Sequence, residues 1–365
     1  MRDGWRTEPL GEIFKLEYGK PLPKNKRTED GKYPAYGANG VKCRTDEYYW
    51  DKPSIIVGRK GSAGEVNLSA EVFWPLDVTY FVVFDDNKYD LLFLYHALES
   101  LNLTRLAKGV KPGLNRNDVY AIKFAFPPLA EQKRIVAILD EVFAGIAAAV
   151  ANTEKNLANA RELFESHLNT VFTQKGDGWV EKKLGDCFRL KSGDGLTSKS
   201  MVAGEYRVFG GNGVAGTHNE YNLTGDNVII GRVGALCGNA RHINATILLT
   251  DNAFKVIRKA QPLDNSFLTY LLNFKNLRLY ARQSAQPVIS NSSLKDIELN
   301  FPKSKTQQKN IVERLDVLWS ETQHLKSIYQ QKLDSLAELK QSILQKAFSG
   351  ELTNAPDRAL LEASA

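Results

Sequence analysis

Beyond Pro127-Pro128 the apolar positions keep a helical period for longer than an ordinary globular helix needs. Ile135, Leu139, Val142, Ile146, Val150, Thr153, Leu157, Ala160, Phe164, Leu168 and Val171 are spaced by a mean of about 3.6 residues. The spacing returns at Ile311, Leu315, Leu318, Thr322, Leu325, Tyr329, Leu333, Leu336, Lys340, Ile343 and Ala347, with only Lys340 off pattern. Gly145 is the one glycine within either run, and no proline breaks them. Each run predicts one continuous helix of about 43 residues, roughly 65 Å long. Proline precedes both, and Ser349-Gly350 supplies a stop after the second. A helix this long cannot bury its stripe alone, and the matching stripe belongs to the other run. With a whole block of chain between them, the two are expected to pair as an antiparallel coiled coil. The alternative is two unrelated helices, each packed on its own block.

The rest of the chain alternates differently. Short β-branched runs, Ser54 to Val57, Tyr80 to Phe84, Asn227 to Ile230 and Phe254 to Ile257, are separated by Gly, Asn and Asp clusters and predict strands. Asn39-Gly40 and Asn212-Gly213 are hairpin-type turns, while Tyr89 to Leu103 and Leu263 to Ala281 look helical. Each block is therefore read as α+β. The blocks also repeat one another. Gly4-Trp5 with Leu10-Gly11 returns as Gly178-Trp179 with Leu184-Gly185, and Tyr36-Gly37-Ala38-Asn39-Gly40 as Phe209-Gly210-Gly211-Asn212-Gly213. Val57-Gly58-Arg59-Lys60-Gly61 returns as Ile230-Gly231-Arg232-Val233-Gly234, and Phe126-Pro127 as Phe301-Pro302. A period of roughly 174 residues is far too long for a solenoid and makes each copy a domain plus a connector. The expected limits are 1–130 and 174–304 for the blocks, 131–173 and 305–350 for the helices, and 351–365 for a tail.

Charge sharpens this division. The net charge of +6 divides into +2 over 1–130 and +6 over 174–304, while the helices carry −2 and +2 and the tail −2. The basic excess lies on the blocks, which is compatible with phosphate contact. Three cysteines, Cys43, Cys187 and Cys237, make neither a disulfide framework nor a zinc spacing. The start, Met1-Arg2-Asp3-Gly4-Trp5, lacks an apolar signal region, and the longest apolar run, Val142 to Ala151, is too short to span a bilayer. No membrane role and a cytoplasmic location are expected.

Catalytic constellations are missing. There is no Gly-x-x-x-x-Gly-Lys, His-Glu-x-x-His or Gly-x-Ser-x-Gly, no Gly-rich cofactor loop and no Asn-Pro-Pro-aromatic motif; His96, His167, His218, His242 and His324 are scattered. Catalytic and metal-ligating residues are therefore expected to be absent. The glycine-rich segments Gly58 to Gly64 and Gly231 to Gly238 each place an arginine, Arg59 or Arg232, in a tight turn after a strand. Exposed loop amides suit phosphate, and arginine can bond phosphate or guanine bidentately. Lys60 and Ser62 share the first loop. Asn39 and Asn212 can pair with adenine, and Tyr36 and Phe209 can hold an unstacked base, or these are turn residues with an aromatic staple beneath. Lys20, Lys24, Lys26 and Arg27 form a basic stretch suited to a phosphate backbone, or a solvated face. Lys108, Lys111, Arg116, Lys199, Arg241 and Arg282 complete the candidate DNA-binding set.

Duplicated α+β blocks, each followed by Phe-Pro, a Gln-rich helix start and a long helix, resemble the specificity subunit of type I restriction-modification systems. The resemblance is carried by Phe126-Pro127-Pro128-Leu129-Ala130-Glu131-Gln132-Lys133-Arg134-Ile135-Val136 and by the ending Leu339-Lys340-Gln341-Ser342-Ile343-Leu344-Gln345-Lys346-Ala347-Phe348-Ser349-Gly350-Glu351-Leu352. It implies two pseudo-symmetric α+β target recognition domains separated by two conserved helices in an antiparallel coiled coil. It further implies a non-catalytic subunit that reads a bipartite, asymmetric site on double-stranded DNA, with helix length setting the separation of the half-sites. Two modification subunits would use S-adenosylmethionine to methylate adenine, and restriction subunits, a translocase and nuclease using ATP and Mg, would cleave unmodified DNA. No cofactor is implied in this chain itself. Phe301-Pro302-Lys303-Ser304-Lys305-Thr306-Gln307-Gln308 departs from the pattern by losing Pro-Leu-x-Glu-Gln, which implies unequal partner contacts there. The rival reading is a coiled-coil interaction scaffold without DNA specificity.

Overall fold

The computed structural model describes residues 4–174, 176–282 and 286–353; of the expected tail, 354–365 lies outside these, as does the opening Met1-Arg2-Asp3. The fold is α+β. Two compact units divide the chain, Met1–Glu154 with Gln331–Ala365, and Lys155–Gln330. Each holds one sheet-rich block and parts of both long helices.

Within each block the repeated dipeptides lie next to paired strands. Arg6–Pro9 pairs antiparallel with Lys123–Phe126, and Trp179–Lys183 with Glu298–Pro302, so the chain enters and leaves each block through one two-stranded ribbon. A four-stranded antiparallel sheet runs Phe14–Tyr18, Thr79–Phe84, Ser54–Gly58, Val66–Ser69 in spatial order, and its copy runs Arg189–Ser192, Ala253–Ile257, Asp226–Gly231, Ala240–Asn244. A three-stranded sheet carries the Asn-Gly hairpin: Gly40–Thr45 and Tyr33–Gly37 in the first block, Gly213–His218 and Tyr206–Gly210 in the second. Gly40 and Gly213, at φ of +106° and +102°, take a conformation that a side chain would strain.

The two shorter helical predictions are corrected at their ends. Leu91–Ser100 and Asn265–Phe274 begin where Asp90 and Asp264 accept hydrogen bonds from the first free backbone N–H groups, as at Phe93 (3.0 Å) and Phe267 (3.1 Å). They do not run on to Leu103 and Ala281, because Asn102 and Asn276 turn left-handed at φ of 45° and 47°. Single 3₁₀ turns, Leu103–Leu106 and Leu277–Tyr280, follow.

The long helices are Leu129–Thr173 and Lys305–Ser349, 45 residues each. They pack antiparallel. In the first unit Ile135 and Leu139, early in the first helix, share a core with Ile343, Leu344 and Ala347, late in the second, and with Leu10, Phe93 and Phe126 of the block. In the second unit Phe172, late in the first helix, joins Val312 and Leu315, early in the second, with Phe267 and Phe301. Phe164 meets Trp319 at a centroid separation of 4.9 Å. Lys340, the residue off the apolar pattern, lies 5.1 Å over the Phe143 ring and 4.0 Å from the Glu99 carboxylate, so its stem stays in the interface while its charge is met at the edge. The first helix contains an 18-residue stretch that is apolar enough to cross a membrane by length and composition alone. Its stripe packs against the second helix and the blocks.

One glutamine fastens each long helix to its block. Buried Gln132 accepts from Asp90 N (2.8 Å) and donates to the carbonyls of Lys88 (3.2 Å) and Pro127 (2.9 Å). Buried Gln308 accepts from Asp264 N (2.8 Å) and donates to Pro262 O (3.0 Å) and Pro302 O (2.8 Å). The second copy has lost the Pro-Leu-x-Glu-Gln wording yet keeps this joint, because all three bonds go to backbone and only the glutamine has to be retained.

Candidate nucleic-acid interface

In the first block two loops far apart in sequence are stitched together by their backbones. Gly61 N donates to Pro112 O (3.0 Å), Leu114 N donates to Arg59 O (2.9 Å), and Lys60 bridges Gly113. Gly58 is needed for this close approach: a β-carbon there would lie 2.0 Å from Ser62 O. The result gathers Arg59, Lys60, Ser62, Lys108, Lys111 and Arg116 on one loop edge. Lys60 and Lys111 are exposed, and Lys108 is exposed with its ammonium 2.8 Å from Asp118. The guanidinium carbons of Arg59 and Arg116 lie 5.2 Å and 5.1 Å from the centroid of the Tyr18 ring. Tyr18 was not among the sequence candidates. It arrives because Phe14–Tyr18 pairs with Thr79–Phe84, setting Tyr18 opposite Tyr80, whose phenol burial raises above its ordinary range.

The second block repeats the backbone and changes the side chains. Gly234 N donates to Pro287 O (3.2 Å), Ile289 N donates to Arg232 O (3.0 Å), and Val288 bridges both Val233 and Arg282. Arg282 thereby takes the place of Lys108, exposed on the same edge, and residues 283–285 of this loop lie outside the described ones. Val233 replaces Lys60, Asn291 replaces Arg116, and Ser192, opposite Phe254, replaces Tyr18. Arg232 lies 5.5 Å over the Phe254 ring and donates to Asp251 O at 3.2 Å. Arg241, on the neighbouring strand, is half-buried, and burial holds its guanidinium below the usual range.

Several sequence candidates turn out to be occupied. Lys26 pairs with Glu47 (2.7 Å), and the Arg27 guanidinium donates twice to Leu22 O (3.0 and 2.9 Å), so the basic stretch is not a row of free cations. Lys24 and Lys199 are exposed, and Lys20 lies 4.7 Å over the Tyr49 ring. Phe209 is buried with Ile229, Ile247 and Leu249, and Tyr36 is half-buried edge-on to Phe73. Both aromatics are staples beneath the hairpin rather than open faces for a base. Asn212 Oδ1 accepts from Leu236 N (2.9 Å), locking the hairpin to the glycine loop, whereas exposed Asn39 has no side-chain hydrogen bond among the described residues. The His242 imidazole contacts Asp226 and Ser266, tying a sheet edge to a helix start; this clustering, too, escaped the sequence.

The model of the type I restriction modification DNA specificity domain matches this chain twice, over residues 2–157 and 176–333. The chain belongs to that family. A putative type I specificity subunit of Mycoplasma pneumoniae is 26% identical over 94% of this chain and 96% of its own. The StySPI specificity subunit of Salmonella potsdam is 23% identical over 97% and 90%. The EcoprrI specificity subunit of Escherichia coli is 27% identical over 49% of this chain and 46% of its own length. Among solved structures, a chain of a type I R-M system described for its complex assembly and conformational transition has a TM-score of 0.77 at 18% identity, over 96% of this chain and 99% of that one. The HsdS subunit of Thermoanaerobacter tengcongensis superposes at 0.57 and 19% identity over 96% and 98%. As a DNA specificity subunit, the chain is a non-catalytic part of a type I restriction-modification complex. Among the described residues no group of three or more His, Cys, Asp or Glu is placed to hold a metal ion.

Proposed function

We propose that the specificity subunit reads a bipartite, asymmetric site on double-stranded DNA, one half-site per block, and so directs two modification subunits and the restriction subunits of a cytoplasmic complex. Residues 1–130 and 174–304 are the two target recognition domains, and 131–173 with 305–350 are the helices on which the modification subunits dock. In this reading S-adenosylmethionine belongs to the modification subunits, which methylate adenine, and ATP and Mg belong to the restriction subunits. The observation that carries it is the duplicated loop edge: one backbone frame presents Arg59 and Arg232 at equivalent places, with different neighbours in each copy. Equal frames with unequal side chains suit two different short sequences. Sequencing methylated adenines in DNA treated with the reconstituted complex tests this. Two unlike half-sites separated by unread bases are expected; absence of a recurrent site, or methyl transfer by this chain alone, would overturn it.

A further inference from the structure

One cleft is plugged in the first block and open in the second. Leu10-Gly11 and Phe14-Lys15-Leu16 correspond to Leu184-Gly185 and Phe188-Arg189-Leu190, and the short helix Arg116–Tyr120 corresponds to Asn291–Leu294, so that Lys295 stands at the position of Tyr120. In the first block the Tyr120 side chain lies against Gly11, where a β-carbon would stand 3.0 Å from its Cβ and 3.1 Å from its Cγ. Its hydroxyl reaches the edge strand and accepts from Leu16 N (2.7 Å). In the second block the corresponding space is a cleft of about 430 Å³ that opens to solvent and is lined in part by Leu184, Gly185, Phe188, Leu190 and Asn291. The Lys295 side chain is exposed, with its ammonium 4.0 Å from Asp296. Leu190 is 8% exposed where Leu16 is wholly buried.

What the second block lacks there is an acceptor. Leu16 stands opposite Val82 and Leu190 opposite Val256, the same register of the same edge strand, so both turn their backbone polar groups away from the sheet. The Leu190 carbonyl is met by Asn291 Nδ2 (3.2 Å). Its N–H points to where the first block holds a hydroxyl, and a lysine ammonium, which has only donors, cannot replace that oxygen. The cleft therefore offers an apolar floor of Leu184, Phe188 and Leu190 with one outward N–H. Arg189 and Lys295 beside it are exposed cations, which the face of an aromatic ring attracts. Its volume falls within the range of ligand sites, about 300 to 1,000 Å³. A ring that carries one oxygen suits floor, donor and cations together, and Tyr120 is such a group in the first block.

We propose that the cleft of the second block binds a phenol group supplied from outside the chain, either a free phenolic compound or the tyrosine side chain of a partner subunit, with its hydroxyl accepting from Leu190 N. The inference does not depend on which bases the block reads. The probe is p-cresol, the tyrosine side chain as a free molecule, titrated into the isotope-labelled full chain while backbone amide signals are followed by NMR. Saturable shifts are expected at the Leu190 and Gly185 amides, and none at Leu16 and Gly11, whose cleft Tyr120 already fills. Toluene, which has the ring without the oxygen, should bind about 2- to 12-fold more weakly, the worth of one hydrogen bond. Lys295→Tyr should plug the cleft and abolish the Leu190 shift. The two sources are separated by repeating the titration on the chain assembled with its modification subunits: loss of p-cresol binding assigns the cleft to a partner's tyrosine, and retained binding assigns it to a free phenol. No saturable shift at Leu190 in the wild type overturns the proposal, as does a shift that survives Lys295→Tyr. Should Lys295→Tyr fail to fold, the wild type still decides, because toluene binding as tightly as p-cresol would show an apolar hollow with no use for the hydroxyl.

Discussion

The two blocks agree where side chains serve the backbone and differ where they meet solvent. Gln132 and Gln308 make the same three bonds to backbone groups, and Asp90 and Asp264 cap equivalent helices. Asn102 and Asn276 end those helices in the same left-handed turn. The loop edge shows the opposite tendency: Tyr18, Lys60 and Arg116 in one copy become Ser192, Val233 and Asn291 in the other. A buried bond to a carbonyl is indifferent to what the block reads, and losing it costs stability. A side chain on an exposed edge costs the fold little to change and alters what the edge can recognise. One frame can therefore carry two different sets of edge side chains within a single chain.

The strongest challenge to this comparison is the glutamine joint. Gln132→Ala or Gln308→Ala strands three backbone groups; at about 1 to 3 kcal/mol for each that stays dry, each variant is expected to lose about 3 kcal/mol of stability. Urea unfolding of the full chain, with hydrogen exchange at Asp90 and Asp264, measures it. Equal losses support equivalent joints, while a loss confined to Gln132→Ala would show that the altered helix entry at Lys303 to Gln307 has already loosened the second.

A somewhat smaller difference lies beneath the sheets. The first block has Ile13 where the second has Cys187, and both are buried. Burial pushes the Cys187 thiol up to about 11 from an ordinary 9.0. The folded state thus favours the neutral thiol. Its contribution is complete below pH 9.0 and is lost as pH rises through about 11. Between pH 8 and pH 11 the wild type should lose about 2 kcal/mol more stability than Cys187→Ala, a difference that isolates this thiol from the lysines and tyrosines titrating with it. An identical pH dependence in the two proteins would mean that the thiol opens to water before the block unfolds.

Periodicity made the long helices legible, since neither a strand nor a loop keeps a 3.6-residue stripe in step over 45 residues. The repeat made the duplicated blocks legible for the same reason. Helix ends at Asn102 and Asn276 were not, because a single left-handed residue leaves no periodic trace. The tight loops that hold Arg59 and Arg232 were legible through the glycines that such a turn requires. Tyr18 was missed because only strand register brings it to them. Lys26 and Arg27 looked free because their partners, Glu47 and the Leu22 carbonyl, cannot be seen in a count of charges. Asn212 was ambiguous in principle, since the amide that would meet a base is the same amide that locks a turn.

The smallest effect falls on the loop edge itself. Tyr18 places one ring beneath two guanidinium groups, so Tyr18→Ser gives the first block the residue that the second already has. A cation over an exposed ring is worth about 0.5 to 1 kcal/mol, and losing the ring leaves Arg59 and Arg116 to repel each other with less to orient them. DNA affinity at one half-site should weaken by roughly that amount, read by competition between duplexes that carry either half-site mutated. The reverse change, Ser192→Tyr, should add nothing, since Asn291 supplies no second guanidinium and Arg232 is already engaged with Phe254 and Asp251. Gain from Ser192→Tyr alone would show that the ring contacts DNA directly. Gain only from Ser192→Tyr combined with Asn291→Arg would show that it acts by ordering a pair of arginines, and the difference between the blocks would then reside in that pair.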